Sequence, residues 1–246
     1  MSDRPTQTAV IVGVGASRGL GAALCRRFAA GGYHVFVAGR TAERIGAIAE
    51  EVRAAGGTAT AFVCDATDEA QVTELFAAAD ATDGGLRVAV FNAGNNVRSP
   101  LLEMPRELFE NTWRVACLAG FLCGREAARR MQPRGEGTIL FTGATASLRG
   151  KPPFTAFASA KAALRSLAQA MAREFGPDGL HVGHVVIDGG IDGEKLRSAV
   201  PDIAERRGVD GLLQPDDIAE AFWQLHAQAR SAWSFELDVR PHKESF

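Results

Sequence analysis

A glycine-rich turn near the N-terminus constrains the fold of this chain more than any other feature. An apolar, β-branched segment over residues 8–14 is followed by Gly15-Ala16-Ser17-Arg18-Gly19-Leu20-Gly21 and then by a helical pattern up to Ala30. Glycines in such a turn let the backbone bend tightly and bring N–H groups close to a pyrophosphate at the helix N-terminus. The order of strand, glycine turn and helix therefore predicts a dinucleotide-binding unit.

Beyond this unit, apolar strand patterns alternate with amphipathic helical patterns, and no repeat or linker interrupts them. Strands that alternate with helices form right-handed crossovers in a parallel sheet. We therefore expect one α/β domain over residues 1–246, a Rossmann-type doubly wound parallel sheet of about seven strands with helices on both faces. Residues 107–131 are predicted to form one long helix. The charged stretch at about 193–210 is predicted to be an irregular, mobile substrate lid.

Composition and charge exclude several classes of partner. The 246 residues carry a net charge of −2 at pH 7, and neither a basic run nor an 18-residue apolar run occurs. We therefore expect no nucleic-acid or membrane partner, since these are bound by clustered cations or long apolar segments. The four cysteines form no C-x-x-C pair and no ligand-like cluster with histidine, which predicts reduced thiols, no metal site and a cytoplasmic protein.

The end of the second predicted strand bears on the choice of dinucleotide. An acidic residue about twenty residues beyond the glycine turn would bind the ribose 2′-hydroxyl of NAD, but this chain has Arg40 there, with Arg18 in the turn and Arg44 nearby. A guanidinium group can bind a 2′-phosphate in a bidentate manner, through two parallel N–H···O hydrogen bonds. The sequence thus favours NADP(H) over NAD(H). The alternative, that Arg40 and Arg44 are solvated residues at a helix start, stays open.

The run from Gly143 to Lys161 resembles the active-site segment of the short-chain dehydrogenase/reductase family, in which a serine precedes a Tyr-x-x-x-Lys helix by thirteen residues. Lys161 occupies the lysine position, whereas the tyrosine position is Phe157 and the serine position is Ala144. The family's asparagine, three residues before a glycine on the long helix, is replaced by Cys117. The resemblance covers essentially the whole chain and implies an NADP(H)-dependent oxidoreductase that lacks its usual proton donors.

The same resemblance extends to further short motifs. Asp65-Ala66-Thr67-Asp68 is similar to a family segment near the adenine, although Asp68 could equally cap a helix. Asn92-Ala93-Gly94 matches the family tripeptide that braces the sheet and faces the cofactor. Together, the glycine turn and the resemblance assign the following residues to cofactor binding: Gly15, Ser17, Arg18, Gly19, Leu20, Gly21, Arg40, Asp65, Ala66, Asn92, Ala93, Gly94, Lys161 and Gly189.

Groups that could replace the missing hydroxyls are few. Thr145 is a hydroxyl next to the vacant serine position, and Asp188 and Asp192 follow a late strand at the ligand-binding edge. With Lys161, Thr145 and Asp188 are the catalytic candidates. Either aspartate could stabilise a cation, or act as a general acid if burial raised its pKa. They could also be turn residues that bond local backbone.

Without tyrosine and serine, the expected substrate is a small molecule that is already activated, such as an iminium or an enone. The predicted pocket contains Ala144, Phe154, Phe157 and Asp192. Two alternatives stay open: a non-redox lyase or isomerase that uses Asp188 or Asp192, and a catalytically silent protein that binds the cofactor. The resemblance also implies a homodimer or homotetramer.

Overall fold

The computed structural model describes residues 6–244, and seven strands within them form a single sheet. The strands are β1 (Thr8–Val12), β2 (His34–Gly39), β3 (Thr58–Val63), β4 (Leu86–Phe91), β5 (Gly137–Thr142), β6 (Leu180–Ile187) and β7 (Glu236–Val239). Their order across the sheet is β3-β2-β1-β4-β5-β6-β7, and every neighbouring pair is parallel. The predicted doubly wound parallel sheet is therefore confirmed.

Helices cover both faces of this sheet. They are α1 (Leu20–Ala30), α2 (Ala42–Ala54), α3 (Glu69–Asp80), α4 (Arg106–Trp113), α5 (Ala119–Met131), α6 (Thr155–Phe175), α7 (Glu194–Ala199), α8 (Ile203–Arg207) and α9 (Pro215–His226). Side chains of a strand alternate between faces. Ile11 of β1 accordingly packs in one core with α1, α2 and α9, while its neighbour Val10 packs in the other with α3, α5 and α6.

The central strands are apolar because both of their faces are covered. All residues of β1, β5 and β6 are buried, as in parallel sheets that lie between two helical layers. The strand order reverses between β1 and β4, which opens a crevice at the carboxyl ends of the strands. This crevice is where ligands bind in open α/β sheets, and it is where the predicted site residues lie.

Two expectations about local structure need correction. The stretch 107–131 is helical throughout, but a π-helical segment, Arg114–Leu118, separates α4 from α5. π-segments are frequent at functional sites, and this one contains Cys117. The stretch 193–210 is not irregular, because it contains the short helices α7 and α8.

Asp68 caps helix α3, which is one of the two roles expected for this residue. Its carboxylate accepts hydrogen bonds from the backbone N–H groups of Ala70 and Gln71 at the start of α3.

Among residues 6–244, no helix has the length and apolarity that crossing a bilayer would require.

Candidate active site

The glycine turn packs tightly on one side and is open on the other. Gly13, just before the turn, has a φ of +91°, and a Cβ atom there would lie 2.5 Å from the backbone nitrogen of Ala93. A Cβ at Gly21 would lie 2.9 Å from the carbonyl oxygen of Gly13. By contrast, a Cβ at Gly15 would meet no atom within 4 Å. The turn therefore docks onto β4 while Gly15 borders open space that a ligand could enter.

Three chain segments that are far apart in sequence meet beside this turn. The side-chain amide of Asn92 donates to the carbonyl oxygen of Gly13 (3.3 Å) and its oxygen accepts from the Thr142 hydroxyl (3.1 Å). The ammonium of Lys161 donates to the carbonyl oxygen of Thr142 (2.7 Å). A Cβ at Gly94 would lie 3.2 Å from Lys161 Nζ. The ends of β1, β4 and β5 are thus joined to α6 through Asn92 and Lys161.

Lys161 is buried, with only 4% of its surface exposed. Burial alone lowers the pKa of its ammonium to about 8, because desolvation disfavours the charged form. Among the described residues, the ammonium donates one hydrogen bond, to Thr142. Since an ammonium has three N–H donors, donors remain for a ligand.

The structure places an aromatic ring, and no hydroxyl, at the tyrosine position. Lys161 Nζ lies 5.9 Å from the centroid of the half-buried Phe157 ring, within the range of a cation–π contact. Ala144 begins the 3-10 turn Thr145–Ser147 after β5. Phe154 lies just before α6, with the Arg98 guanidinium 5.5 Å from its ring centroid.

Cys117 is buried in the π-helical segment, and burial raises the pKa of its thiol. It is therefore a neutral thiol near pH 7. A neutral thiol is a weak hydrogen-bond donor, so it is a poor substitute for the side-chain amide of an asparagine.

Thr145 and Asp188, two of the three catalytic candidates, are in direct contact. The Thr145 hydroxyl donates to Asp188 Oδ1 across 43 positions of sequence. Asp188 is 7% exposed and also has Arg240 at 3.6 Å and Arg149 at 3.9 Å from its carboxylate oxygens. The carboxylate fixes the threonine hydroxyl next to the vacant serine position, while the two guanidinium groups offset its charge.

The expectation that Asp192 could act as a general acid is wrong. Hydrogen bonding, first of all to Arg197 and then to Gln214, together with the charges of Arg18 and Arg197, lowers the pKa of Asp192 to about 2 despite its burial. Arg197 donates to both carboxylate oxygens, at 2.5 and 2.9 Å, and Arg18 donates at 3.0 Å. At neutral pH this residue is an ionised carboxylate with its acceptors occupied, so it has no proton to give.

The three arginines assigned to binding the 2′-phosphate lie near the glycine turn or the end of β2, but two of them have acidic partners. Arg18 is paired with Asp192, and Arg44 lies 3.6 Å from the Glu194 carboxylate. Ser17, assigned to cofactor binding, also has an acidic partner, because its hydroxyl donates to Glu51 (2.9 Å). Arg40 is exposed beyond β2 and contributes to lowering the pKa of Asp65. The main cause of that lowering is the hydrogen bond from the Thr67 backbone N–H to Asp65 Oδ1 (2.9 Å).

The other assigned residues have structural positions that suit a cofactor crevice. Gly19 is the N-cap residue of α1, and the buried Leu20 is its first residue. Ala66 is buried in the turn after β3. Gly189, at the end of β6, has a φ of +155°, and a Cβ there would lie 2.8 Å from the Pro241 ring.

Sequence reasoning missed a buried polar chain behind Ala144. His184 Nε2 lies 3.4 Å from the Ser147 hydroxyl, and His184 Nδ1 lies 2.9 Å from Glu236, which pairs with Arg165. Burial lowers the pKa of His184 to about 4, so the ring is neutral at pH 7. The Ser147 hydroxyl in turn accepts from the Ala144 N–H (3.1 Å) and holds the turn in place. The only signal was the presence of two histidines, His181 and His184, in an otherwise apolar strand.

Together, the parallel sheet, the reversal of its strand order at a glycine turn and the buried lysine beside that turn define a Rossmann-type fold. The chain belongs to the short-chain dehydrogenase family, whose sequence profile, described as short chain dehydrogenase, matches residues 8–202. It is 34% identical over 220 residues to the L-rhamnose 1-dehydrogenase (NAD(P)(+)) of Azotobacter vinelandii, covering 85% of this chain and 86% of that protein. It is 31% identical to the cis-4-hydroxycyclohexanecarboxylate dehydrogenase of Sinomonas cyclohexanicum, covering 90% of each.

Solved structures are similar over nearly the whole chain. A short-chain dehydrogenase from Rhodopseudomonas palustris shares 42% of its residues with this chain at a TM-score of 0.81, covering 96% of this chain and 99% of that one. A metagenomic short-chain oxidoreductase in complex with NADP shares 27% at a TM-score of 0.80, covering 98% and 99%. The family is one of oxidoreductases, and its fold binds nicotinamide cofactors.

Proposed function

We propose that this protein is an NADP(H)-dependent oxidoreductase with a non-standard active site that acts on a small, activated substrate. The observation that carries the proposal is the position of Lys161: buried, bonded to the end of β5 and facing Asn92-Ala93-Gly94, while Phe157 and Ala144 leave it without hydroxyl partners. A cofactor site of the family type is kept, and its usual proton donors are absent.

The residues around the crevice fit a nicotinamide dinucleotide. The open space at Gly15 and the N-terminus of α1 suit a pyrophosphate. Lys161 has unused ammonium donors for ribose hydroxyls. Arg18 and Arg40 would bind a 2′-phosphate, and the residue directly after β2 is Arg40 instead of a carboxylate that would bind a free 2′-hydroxyl. When bound, the nicotinamide supplies or accepts a hydride.

The charges around Asp188 favour a neutral substrate over a cationic one. Arg149 and Arg240 both approach this carboxylate, so its ability to stabilise an iminium is reduced. Phe154 and Phe157 contribute apolar surface. An enone meets both conditions, because it is neutral and its conjugation makes it electrophilic without prior protonation.

The residues of this chain would then act on the charge that develops on the substrate oxygen. The Thr145 hydroxyl has one proton, which it donates to Asp188, so it must rotate away from that carboxylate to donate a hydrogen bond to the substrate oxygen. Such a donor contributes roughly 10²–10³-fold in rate. The Lys161 ammonium stabilises negative charge from a desolvated position. With a pKa of about 8, the ammonium is also acidic enough to donate the proton that must follow the hydride.

The test is a titration of the purified protein with NADPH and, separately, with NADH, followed by nicotinamide fluorescence. Lys161→Ala should weaken NADPH binding at least tenfold, since it removes a buried cation with free donors. Arg173→Ala is the matched control, because Arg173 is an exposed cation in the last turn of the same helix. If neither nucleotide binds the wild-type protein, the proposal is wrong.

A second function is favoured by the Thr145–Asp188 contact. A carboxylate that orients a hydroxyl is also an arrangement for proton abstraction in a lyase or isomerase. This alternative predicts turnover without added nicotinamide, abolished by Asp188→Asn. Tight NADPH binding with no rate for any ketone, enone or iminium would instead indicate a catalytically silent binding protein.

Assembly and compartment belong to the same proposal. Trp113 and Phe121, on the outer side of α4 and α5, are each 39% exposed, and Leu102 is 99% exposed. Exposed apolar groups of this size suit an interface with a second copy. We expect a homodimer or homotetramer, measurable by light scattering after size-exclusion chromatography. All four cysteines are buried and free, as suits a cytoplasmic protein.

A further inference from the structure

The carboxylate of Asp192 is shared by two guanidinium groups from different parts of the molecule. Arg197, on α7, donates two hydrogen bonds to it, and Arg18, in the glycine turn, donates one at 3.0 Å. Arg18 Nε also approaches the carbonyl oxygen of Asp192, at 3.4 Å. The Asp192 side chain is only 6% exposed, whereas that of Arg18 is 59% exposed. The exposed Arg18 side chain is therefore the partner that can move away from Asp192.

The segment that follows Asp192 lies directly against the glycine turn. The Glu194 N–H donates to the Arg18 carbonyl oxygen (2.8 Å), and a Cβ at Gly193 would lie 2.9 Å from that same oxygen. Lys195 also reaches across to Asn95, after β4 (2.7 Å). Contacts of the residues that follow Asp192 thus hold it beside the turn. Its position does not depend on the side chain of Arg18.

One guanidinium cannot give its full hydrogen bonding to two anions at once. A 2′-phosphate that binds Arg18 must compete with the Asp192 carboxylate, since both are anionic acceptors for the same donors. NADH carries no phosphate at the 2′ position and does not enter this competition. The Asp192–Arg18 contact therefore affects the two dinucleotides unequally.

We propose that Asp192 is a specificity-determining residue that limits NADP(H) affinity by competing with the 2′-phosphate for Arg18, and that Arg197 moderates this competition. The inference rests on the proposed function, because it requires that the 2′-phosphate binds Arg18. Arg197 weakens the hold of Asp192 on Arg18 by neutralising part of its charge and occupying both of its oxygens. Asp192 and Arg197 should thus influence NADPH binding in opposite directions.

Two substitutions give effects of opposite sign. Asp192→Asn removes the negative charge but keeps the size and an acceptor oxygen, and should tighten NADPH binding about threefold, the scale of a half-exposed ion pair. In the described part of the chain, Arg197→Gln leaves Arg18 as the remaining guanidinium that contacts Asp192. Asp192 then holds Arg18 more strongly, so NADPH binding should weaken by a similar factor. NADH affinity should change by a smaller factor in both variants, since without a 2′-phosphate the altered charge acts only on the pyrophosphate that both dinucleotides carry.

The decisive experiment is a double-mutant cycle by titration calorimetry with NADPH and NADH, in which each substitution is combined with Arg18→Ala. Without Arg18, the difference between the effects on NADPH and on NADH should vanish. A difference that persists without Arg18, or effects that are equal for the two dinucleotides, would overturn the inference and show that Asp192 only shapes the crevice. Because Arg197 is a surface side chain, its variant tests the inference even if Asp192→Asn folds poorly. Failure of wild type to bind either nucleotide would contradict the proposed function itself.

Discussion

The ammonium of Lys161 lies 2.7 Å from the carbonyl oxygen of Thr142, so the last residue of β5 and the second turn of α6 are held together at the carboxyl edge of the sheet. The contact places a buried cation where the glycine turn, Asn92 and the end of β5 meet. Since that cation is desolvated, its protonation state is sensitive to pH in a range that is accessible to experiment.

NADPH affinity is expected to fall as the pH rises from 7 to 9.5. Burial lowers the pKa of Lys161 to about 8, so the group is mostly charged below this pH and mostly neutral above it, and the neutral amine attracts the anionic cofactor less. Fluorescence titrations at several pH values would give the profile. In Lys161→Ala the profile should be flat; an equally steep decline in that variant would assign the effect to another group.

Restoring the family's hydroxyls should create ordinary ketone reduction. In the double variant Phe157→Tyr with Ala144→Ser, the new phenol lies beside Lys161 and the new hydroxyl beside Thr145, so the rate of NADPH oxidation with simple ketones should rise at least 10²-fold. Phe121→Tyr is the matched control, since it adds a phenol at a 39% exposed position on the outer side of α5, outside the predicted pocket, and should produce no gain. No increase in the double variant would contradict the placement of the site.

Thr145→Val should lower kcat with an enone substrate by about 10²-fold while leaving NADPH affinity within twofold, because it removes only the hydroxyl that would rotate from Asp188 to the substrate oxygen. Steady-state kinetics and binding on the same preparation separate the two effects. Ser159→Ala, which removes an exposed hydroxyl bonded to the Thr155 carbonyl on α6, should change neither. Equal rates in wild type and Thr145→Val would remove Thr145 from the mechanism.

Two glycine substitutions should shift stability in opposite directions. Gly13→Ala combines a φ of +91° with a Cβ only 2.5 Å from the Ala93 nitrogen, and should lower the free energy of unfolding by about 2 kcal/mol or more. Gly46→Ala lies within α2, where a Cβ would meet nothing within 4 Å, and should raise it by about 0.5–1 kcal/mol. Differential scanning calorimetry would show the opposite shifts in Tm, and a stable Gly13→Ala would refute the close packing of the turn on β4.

Fold class and element order could be predicted from the sequence because they depend on local patterns. The predicted sheet of about seven strands agrees with the seven that the described residues form, and the helical pattern predicted after the glycine turn ends at Ala30, as α1 does. The π-segment Arg114–Leu118 could not be predicted, since a helical hydrophobic pattern does not show where a turn gains a residue. The same limit applied to α7 and α8, whose charged sequences have too few apolar residues for a periodic signal.

What the sequence determined by itself was the set of available groups: a lysine at position 161, with phenylalanine at 157 and alanine at 144. The tertiary structure decided what those groups and their neighbours can do. Asp188 contacts Thr145 across 43 positions, and Asp192 contacts Arg18 across 174. The pKa of Asp192 falls to about 2 because guanidinium groups reach it, whereas that of Lys161 falls to about 8 because the ammonium is desolvated and the described residues give it one hydrogen bond, to a carbonyl oxygen. A pKa depends on desolvation and on partners brought in from distant segments, and neither can be read from a residue's neighbours in sequence.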